Sequence, residues 1–488
     1  MWTRFYGMSC RKLTPWASAL CLCVSPAVFG GDQSWTIESR LDWIENTRTT
    51  TDVLIEDDQA RSQAVESRFS SRVKRFDEKR SASSITFKQT TAWNNWREVS
   101  NVGLAVMRDA LIFLPVKEGE YYMLGRHADY QRRRLRNPDG TRGAVANPDL
   151  TDEEHEAMGG YHAWRSTDMK TWTHGGRVST FLDGAWMTTA EYADGKFYLY
   201  YDRPNDQDPH LWVDDDLMDG KLGVNHGRAL NDPSDGSDAA VFRDEDGGFN
   251  IIYENWDYNN ARTHAWDAPV AGLAKSPDGL LPFVIQDHWV VDERTTPTGE
   301  IGTFTHVSSE IPLEYEIHTP EQNAYGDWTA IKVGDQYYLF CDYDPVGAHI
   351  KVGRFTSGSL EEKFEFVGSF GDGHPDPSVG FAEGQFYVIQ QRGDVDFVSP
   401  GPWVNGVQAR VGVDTSGNGE INQWSKWENV QEHYAHKPGF ARIVDTTPAS
   451  LDVSSLPAGY GFAFEYRTRA VPDQAVSVAM ESVKLKFE

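Results

Sequence analysis

Polar and apolar positions alternate in blocks in five short stretches that share one form, a polar glycine turn and then an apolar, aromatic-rich run. They are "VKEGEYYMLGRH", "YADGKFYLYYDR", "FRDEDGGFNIIYEN", "IKVGDQYYLFCDYD" and "FAEGQFYVIQQR". Each runs from a strand end through a tight turn at Gly119, Gly195, Gly247, Gly334 or Gly384 into an aromatic-rich strand that closes on charged residues. Glycine supplies the positive φ such turns need, and aromatic and β-branched side chains suit a half-buried pleat. Recurrence of one supersecondary unit predicts a stacked or radial all-β architecture. Five units predict a five-bladed β-propeller, placed here over residues 91–435.

The pattern changes on both flanks. Val65, Phe69, Val73 and Phe76 recur at helical spacing in "DDQARSQAVESRFSSRVKRFDEK". That predicts an amphipathic helix within an N-terminal helical segment, residues 31–90, docked on the propeller or on a second copy as a homodimer. The tail "GFAFEYRTRAVPDQAVSVAMESVKLKFE" reads as two alternating strands around Pro472 and Asp473. Alone it is too short for a sandwich of about 100 residues, so residues 436–488 read as an appended hairpin, a short C-terminal β extension.

Residues 1–30 place Arg4, Arg11 and Lys12 ahead of "LTPWASALCLCVSPAVFG" without an acidic residue. This resembles a secretory signal cleaved near Gly30, so the protein is expected to be exported, periplasmic or secreted. A membrane anchor is the alternative, but the apolar run is short and holds two prolines. Cys10, Cys21 and Cys23 leave with the leader and only Cys341 remains, so no intramolecular disulfide is expected. The 488 residues carry a formal net charge of −27, which argues against nucleic-acid or anionic-membrane partners. An anionic substrate stays open, because local basic residues can override the global field.

In a propeller blade the innermost strand crosses from one face to the other and the second strand returns. The glycine turns therefore mark one face, and inner-strand starts and second-strand ends meet on the other. Inner-strand starts supply Asp238, Asp327, and His374 with Asp376. Second-strand ends supply Arg126 and His127, Asp202 and Arg203, Glu254 with Trp256 and Asp257, Asp342 and Asp344, and Arg392. A strand often ends in a solvated polar turn, but five repeats ending this way predict a funnel of carboxylates, imidazoles and guanidinium groups. Acids crowded on one axis acquire unlike pKa values, which glycoside cleavage uses. Trp256 and Trp328 could stack on a sugar ring or serve the core. Glu191 should lie deeper along its strand, as a catalytic acid or as a structural acid with a neighbouring partner.

These repeats resemble the five-bladed glycoside hydrolases of families 43, 32 and 62 and the family-117 anhydro-galactosidases. The resemblance covers about residues 95–430 and lies in repeat form. "SDAAVFRDEDGGFNIIYE" looks like their third-blade strand, which implies an orienting, pKa-tuning role for Asp238. "YGDWTAIKVGDQYYLF" looks like their fourth-blade segment, where the general acid is usually a glutamate and Asp327 stands one position away. "HPDPSVGFAEGQFYV" resembles their fifth blade and implies a supporting or acid role for His374 or Asp376. These families place a base aspartate in blade one, where "NWREVSNVGLAVM" offers Glu98 and Asn101. The resemblance implies an exo-acting hydrolase on plant or marine algal polysaccharide fragments, with substrate contacts from Arg126, Arg203, Glu254, Trp256, His264, Trp328 and Arg392.

The departure in blade one opens a second reading, a polysaccharide lyase resembling ulvan lyases. There His and Tyr serve as base and acid and Arg neutralises a uronate, a set that Arg126, His127, Tyr192, Arg203 and His264 could supply. A non-catalytic sugar-binding propeller is a third. Separately, "DTSGNGEINQWS" places Asp414, Ser416, Asn418 and Glu420 like the first half of a calcium loop. The twelfth position is Ser425, not an acid, and a plain Asn-Gly turn is the alternative reading. Structural calcium is the one cofactor expected.

Overall fold

The computed structural model describes residues 33–488 apart from 91–92, 94–95, 101, 103–106, 128–133, 137–141, 145–150, 180–185, 203–207, 235, 257–267, 281, 294–302, 306–313, 317–322, 346–347, 373–375, 391–394, 403–405 and 470–477. The described chain is almost entirely strand, with short helices at Arg40–Asn46 and Asp152–Met158.

Among the described residues, five sheets of four or more strands follow one another along residues 107–399, beside two two-stranded ribbons. Their first strands are Met107–Lys117, Trp186–Ala193, Ser237–Arg243, Ala324–Val333 and Ser378–Ala382. Each of these packs against the next, and the last packs against the first, so the innermost strands close a ring. The glycine turns join first to second strands as the alternation predicts, with positive φ at Gly119, Gly195, Gly247, Gly334 and Gly384. The core divides accordingly into apolar wedges between neighbouring sheets. Ile112, Leu114 and Leu124 meet Phe197 and Leu199 between the first and second, while Phe113 and Met123 meet Tyr387 and Ile389 where the fifth returns to the first. That closure is tight: a Cβ on Gly380 would lie 2.6 Å from the Phe113 ring.

Inner strands are sheet edges, and their unpaired backbone groups need partners. Side chains from the neighbouring sheet supply them. Thr189 Oγ1 accepts the Val241 amide at 3.1 Å, Thr329 Oγ1 accepts that of Val379 at 3.3 Å, and Ser378 Oγ accepts that of Phe113 at 2.9 Å. Buried Arg442 serves the carbonyls. Its guanidinium donates to Phe113, Ala190, Ala330 and Val379, four different inner strands. It is carried by the hairpin His433–His436 and Ile443–Thr447, whose second strand runs parallel to Ala324–Val333 at Lys332 and Val333.

The fifth sheet takes its outer strand, Arg97–Ser100, from upstream of the first. Arg97–Ser100 is therefore the ring's closing strand, and the first inner strand begins later, at Met107.

The flanks depart from the sequence expectation. Residues 65–76 form no helix; they contribute strands Arg68–Ser71 and Lys74–Arg80. Nor do the two C-terminal strands pair with each other. Gly459–Arg467 pairs with Arg68–Ser71, Lys74–Arg80 and Gln408–Asp414, whereas Ala479–Phe487 pairs with Ala82–Thr90, Ser34–Ile37 and Gln59–Ser62. The two termini thus build two stacked sheets around Trp35, Ile37, Phe69, Phe87, Val411, Phe464, Tyr466 and Leu485. Pairing across the full chain length overrides the local helical spacing, because Phe69 gains stacking partners in Phe464 and Tyr466. No helical surface remains over residues 65–76 to support the dimer expected there. Among the described residues no helix is long and apolar enough to cross a membrane.

Candidate active site

The inner strands carry one recurring irregularity at the end opposite the glycine turns. In the third sheet Ser237 pairs with Glu254 and Ala240 with Ile252, leaving Asp238 and Ala239 in a bulge. In the fourth, Gly326 pairs with Asp342 and Thr329 with Phe340, leaving Asp327 and Trp328. Asp376 stands just ahead of the fifth inner strand. All three aspartates have left-handed backbone, with φ of 47°, 50° and 27°. That conformation costs a side chain about 1–3 kcal/mol, least for Asp and Asn, and the bulge re-aims the residue out of the pleat. Asp238, Asp327 and Asp376 line one pocket with Leu111, Ile112, Thr188, Trp328 and Pro377, drawn from all five inner-strand regions.

A second tier of acids lies behind the first. Glu254 and Asp342 pair across from the residues preceding the two bulges, and both are buried. Buried Asp202 ends the second strand of the second sheet, and its Oδ2 accepts the Asp238 amide at 3.2 Å. Ser237 Oγ donates to Asp238 Oδ2 and accepts from Trp256 Nε1, both at 2.8 Å. Burial raises the Asp238 carboxyl above the usual range, and hydrogen bonds with Ser237, Glu254 and Asp327 offset only part of that. Asp327, Asp342 and Asp376 each place a carboxylate oxygen within 4.8 Å of the other two. Carboxyl groups this close disfavour one another's charged forms, and an all-oxygen set is of the kind a hard cation takes.

The other expected site residues divide. Trp328 borders the pocket but is a core residue, packed on Phe355 at 5.6 Å; Trp256 is buried as the donor to Ser237. Arg126 lies in the second strand of the first sheet, stacked on Trp186 at 4.5 Å and Tyr161 at 5.2 Å. His127 packs with His162, His174 and Trp164 of the first sheet. Glu191 is absent from the pocket lining: it lies near the glycine-turn end of its strand, fully buried, accepting the amides of Tyr192 and Arg243 at 2.7 and 3.2 Å, with Arg442 as its countercharge. That is the structural partner role. Tyr192 follows it at that end, packed on Phe197 at 4.8 Å. Arg203, His264, His374 and Arg392 lie outside the described residues.

The 414–420 loop is closed on itself. Asp414 Oδ1 accepts from the Ser416 amide and hydroxyl and the Gly417 amide, and Oδ2 accepts the Gly419 amide at 2.7 Å. Asn418 Oδ1 accepts the Glu420 amide at 2.9 Å. Arg75 donates to the Gly417 carbonyl at 3.3 Å, which puts a positive charge beside the loop. Asp414 thus caps its own turn, with a guanidinium alongside.

One further acid, outside the expected set, stands at a comparable backbone place in the first inner strand. Asp109 follows Arg108 in the first inner strand, and Arg108 pairs with Arg126 at the edge of a register shift. Asp109 follows its paired neighbour as Asp238 follows Ser237 and Asp327 follows Gly326, although here three residues, 109–111, stand against one. The signal was present in "RDALIFLPVKEG", an aspartate leading an apolar run into a glycine turn. It was hidden by reading the closing strand as the first inner strand.

No family model and no curated protein matches this chain. Solved structures do. A β-xylosidase, RS223, is 12% identical, with 62% of this chain and 94% of that one covered and a TM-score of 0.37. An α-L-arabinofuranosidase from Clostridium thermocellum is 14% identical, with 70% and 95% covered and a TM-score of 0.38. A family 117 glycoside hydrolase from Zobellia galactanivorans is 12% identical, with 77% and 90% covered and a TM-score of 0.38. Scores this low leave fold and activity to be read from the molecule itself.

Proposed function

We propose that this protein is an exported glycoside hydrolase, exo-acting on plant or algal polysaccharide fragments, whose five sheets are the blades of a five-bladed β-propeller. The observation that carries the reading is the convergence of Asp238, Asp327 and Asp376 on left-handed backbone at one pocket, backed by a buried second tier of acids. Backbone strain repeated in three sheets is better explained by a shared task than by folding. Glycoside cleavage needs one carboxyl that keeps its proton and one that is ionised. Asp327 is assigned as proton donor: it is partly buried, lines the pocket and shares a hydrogen bond with Asp238. Asp238 is assigned as the positioning acid that sustains that proton, and Asp376 as a supporting acid. Asp109, by its comparable backbone place, is assigned as the base. The proton of Asp327 passes to the leaving oxygen as the glycosidic C–O bond breaks; water adds to the anomeric carbon and yields its proton to Asp109.

The lyase reading loses a member here, because Tyr192 stands at the glycine-turn end and His127 at the other. The test is product analysis on agar, carrageenan, arabinan and ulvan oligosaccharides. Hydrolysis yields new reducing ends without a chromophore, and Asp109→Asn should abolish it while Glu98→Gln, in the outer closing strand, leaves it intact. Unsaturated uronate absorbing in the near ultraviolet, lost with His127→Ala and kept with Asp327→Asn, would replace this reading with elimination.

A further inference from the structure

Among the described residues a cluster of guanidinium groups stands on the two stacked sheets built by the termini, in a chain that is acidic as a whole. In the sheet holding Gly459–Arg467, cross-strand pairs put Arg68 opposite Arg467, Ser70 and Arg410 opposite Glu465, and Gln408 opposite Arg467. These side chains share the outer face, since the alternating Phe69, Phe464, Tyr466, Ala409 and Val411 fill the core. Half-buried Trp424 and Trp427 lie over it. The Arg410 guanidinium is 4.4 Å from the Trp424 ring and 4.6 Å from that of Trp427, and Arg467 and Arg68 lie 4.2 and 5.8 Å from Trp427.

We propose that this face is a second carbohydrate site, for an acidic polysaccharide, in which the arginines grip sulfate esters or uronate carboxylates and Trp427 stacks on a sugar ring. Charge carries the first step. Among the described residues Glu465 is the one carboxylate in ion-pair contact with these guanidinium groups, and Arg467 is further crowded by Arg469. Such an excess of positive charge on one sheet face costs folding energy, because like charges repel, and it stands out in a chain of net charge −27. Preorganisation carries the second. Arg410 is held by Glu465 at 2.7 Å through Nε and 2.6 Å through Nη2, Arg68 by the same oxygen at 2.8 Å, and Arg467 by Gln408 Oε1 at 3.2 and 3.0 Å. Each arginine keeps further N–H donors, and a fixed, weakly hydrated guanidinium suits planar or tetrahedral oxyanions. The rings supply what a carbohydrate adds to an anion, an apolar face for the axial C–H groups of a pyranose.

The inference rests on the preceding reading only in taking the polymer to be a carbohydrate, and it is tested without turnover. The full-length mature chain carrying Asp327→Asn is run in native gels containing carrageenan (sulfate), polygalacturonate (carboxylate) or arabinan (neutral). Retardation in one or both acidic gels, absent with arabinan and abolished by 0.5 M salt, is expected. Which gel retards assigns the source of the anion. Trp427→Ala and the pair Arg68→Gln and Arg467→Gln should each weaken binding about tenfold or more with unchanged melting temperature. Arg410 is left in place, because its loss would strand Glu465. No retardation in either acidic gel, or equal retardation of the variants, overturns the proposal. So does a dimer in sedimentation that Arg467→Gln dissolves, which would give the face to a second copy. Cleavage of oligosaccharides without polymer retention would leave the hydrolase standing and this site refuted; retention without cleavage would do the reverse.

Discussion

At the scale of single residues, the candidate site is a problem in keeping protons on carboxyl groups. Asp238 is buried and its carboxyl is raised, so the charge with which it would hold the proton on Asp327 is present above that raised value and lost as pH falls through it. The expected kcat/KM profile therefore falls on the acid side, and Asp238→Asn, which keeps shape but cannot ionise, should remove that limb along with most activity. Asp327→Asn should lower kcat by about 10²–10⁴, the usual worth of a general acid, with little change in melting temperature. A variant that keeps full rate would remove Asp327 from the chemistry. Asp238, Asp327 and Asp376 were legible in the sequence because each leads an inner strand. Their left-handed backbone and the buried partners behind them were not, because a bulge has no composition of its own. Glu191 illustrates the converse: its chemistry could be read from the chain, but its partner Arg442 lies in another segment entirely.

At the scale of elements, the ring depends on groups that cap the edges of its inner strands. Arg442 joins four of them while facing the buried Glu191. Arg442→Met should destabilise by about 3–5 kcal/mol, because it strands a buried carboxylate and several carbonyls. Adding Glu191→Gln should recover part of the loss in a thermal melt; an additive double variant would deny the coupling. Two other buried acids set a pH dependence. Burial pushes Asp396 up to about 6 against the amides of Val102 and Gln390, and Glu432 up to about 7 against the Gln89 amide and the Tyr434 hydroxyl. Both folded values exceed the unfolded ones, so the folded state holds these protons after the unfolded state has released them. The stabilisation is complete below about pH 4 and is lost as pH rises through about 6 and 7, on the order of 3 kcal/mol for each group. The melting temperature should be higher at pH 5 than at pH 8, and Asp396→Asn with Glu432→Gln should shrink the difference. The five hairpins were readable because each is local, a glycine turn between two strands. The closing strand Arg97–Ser100 was not, since it pairs with residues near 397, and that one misplaced strand hid Asp109.

At the scale of the whole molecule, the termini share one core, so neither half of the stacked sheets is an appendage. Strand Gly459–Arg467 sits between partners from both ends of the chain, and Phe69 stacks within the core they form. Removing residues 33–90 should expose that core and yield insoluble protein, whereas removing only 1–30 should not; soluble, folded protein from the longer truncation would contradict the shared core. N-terminal sequencing of the exported protein should begin near Gly31, and an intact leader on cytosolic protein would refute export. The sandwich escaped the sequence because its two halves lie at opposite ends, each too short to read as a domain. The convergence of acids on the ring's open end remains the feature from which the function is argued, and product analysis tests it most directly. With Asp109→Asn, Asp327→Asn and His127→Ala measured beside the unaltered protein on the four oligosaccharide sets, new reducing ends should form without near-ultraviolet absorbance. They should vanish in both aspartate variants and survive in His127→Ala. Absorbance that grows on ulvan, persists in the aspartate variants and vanishes with His127→Ala would contradict hydrolysis.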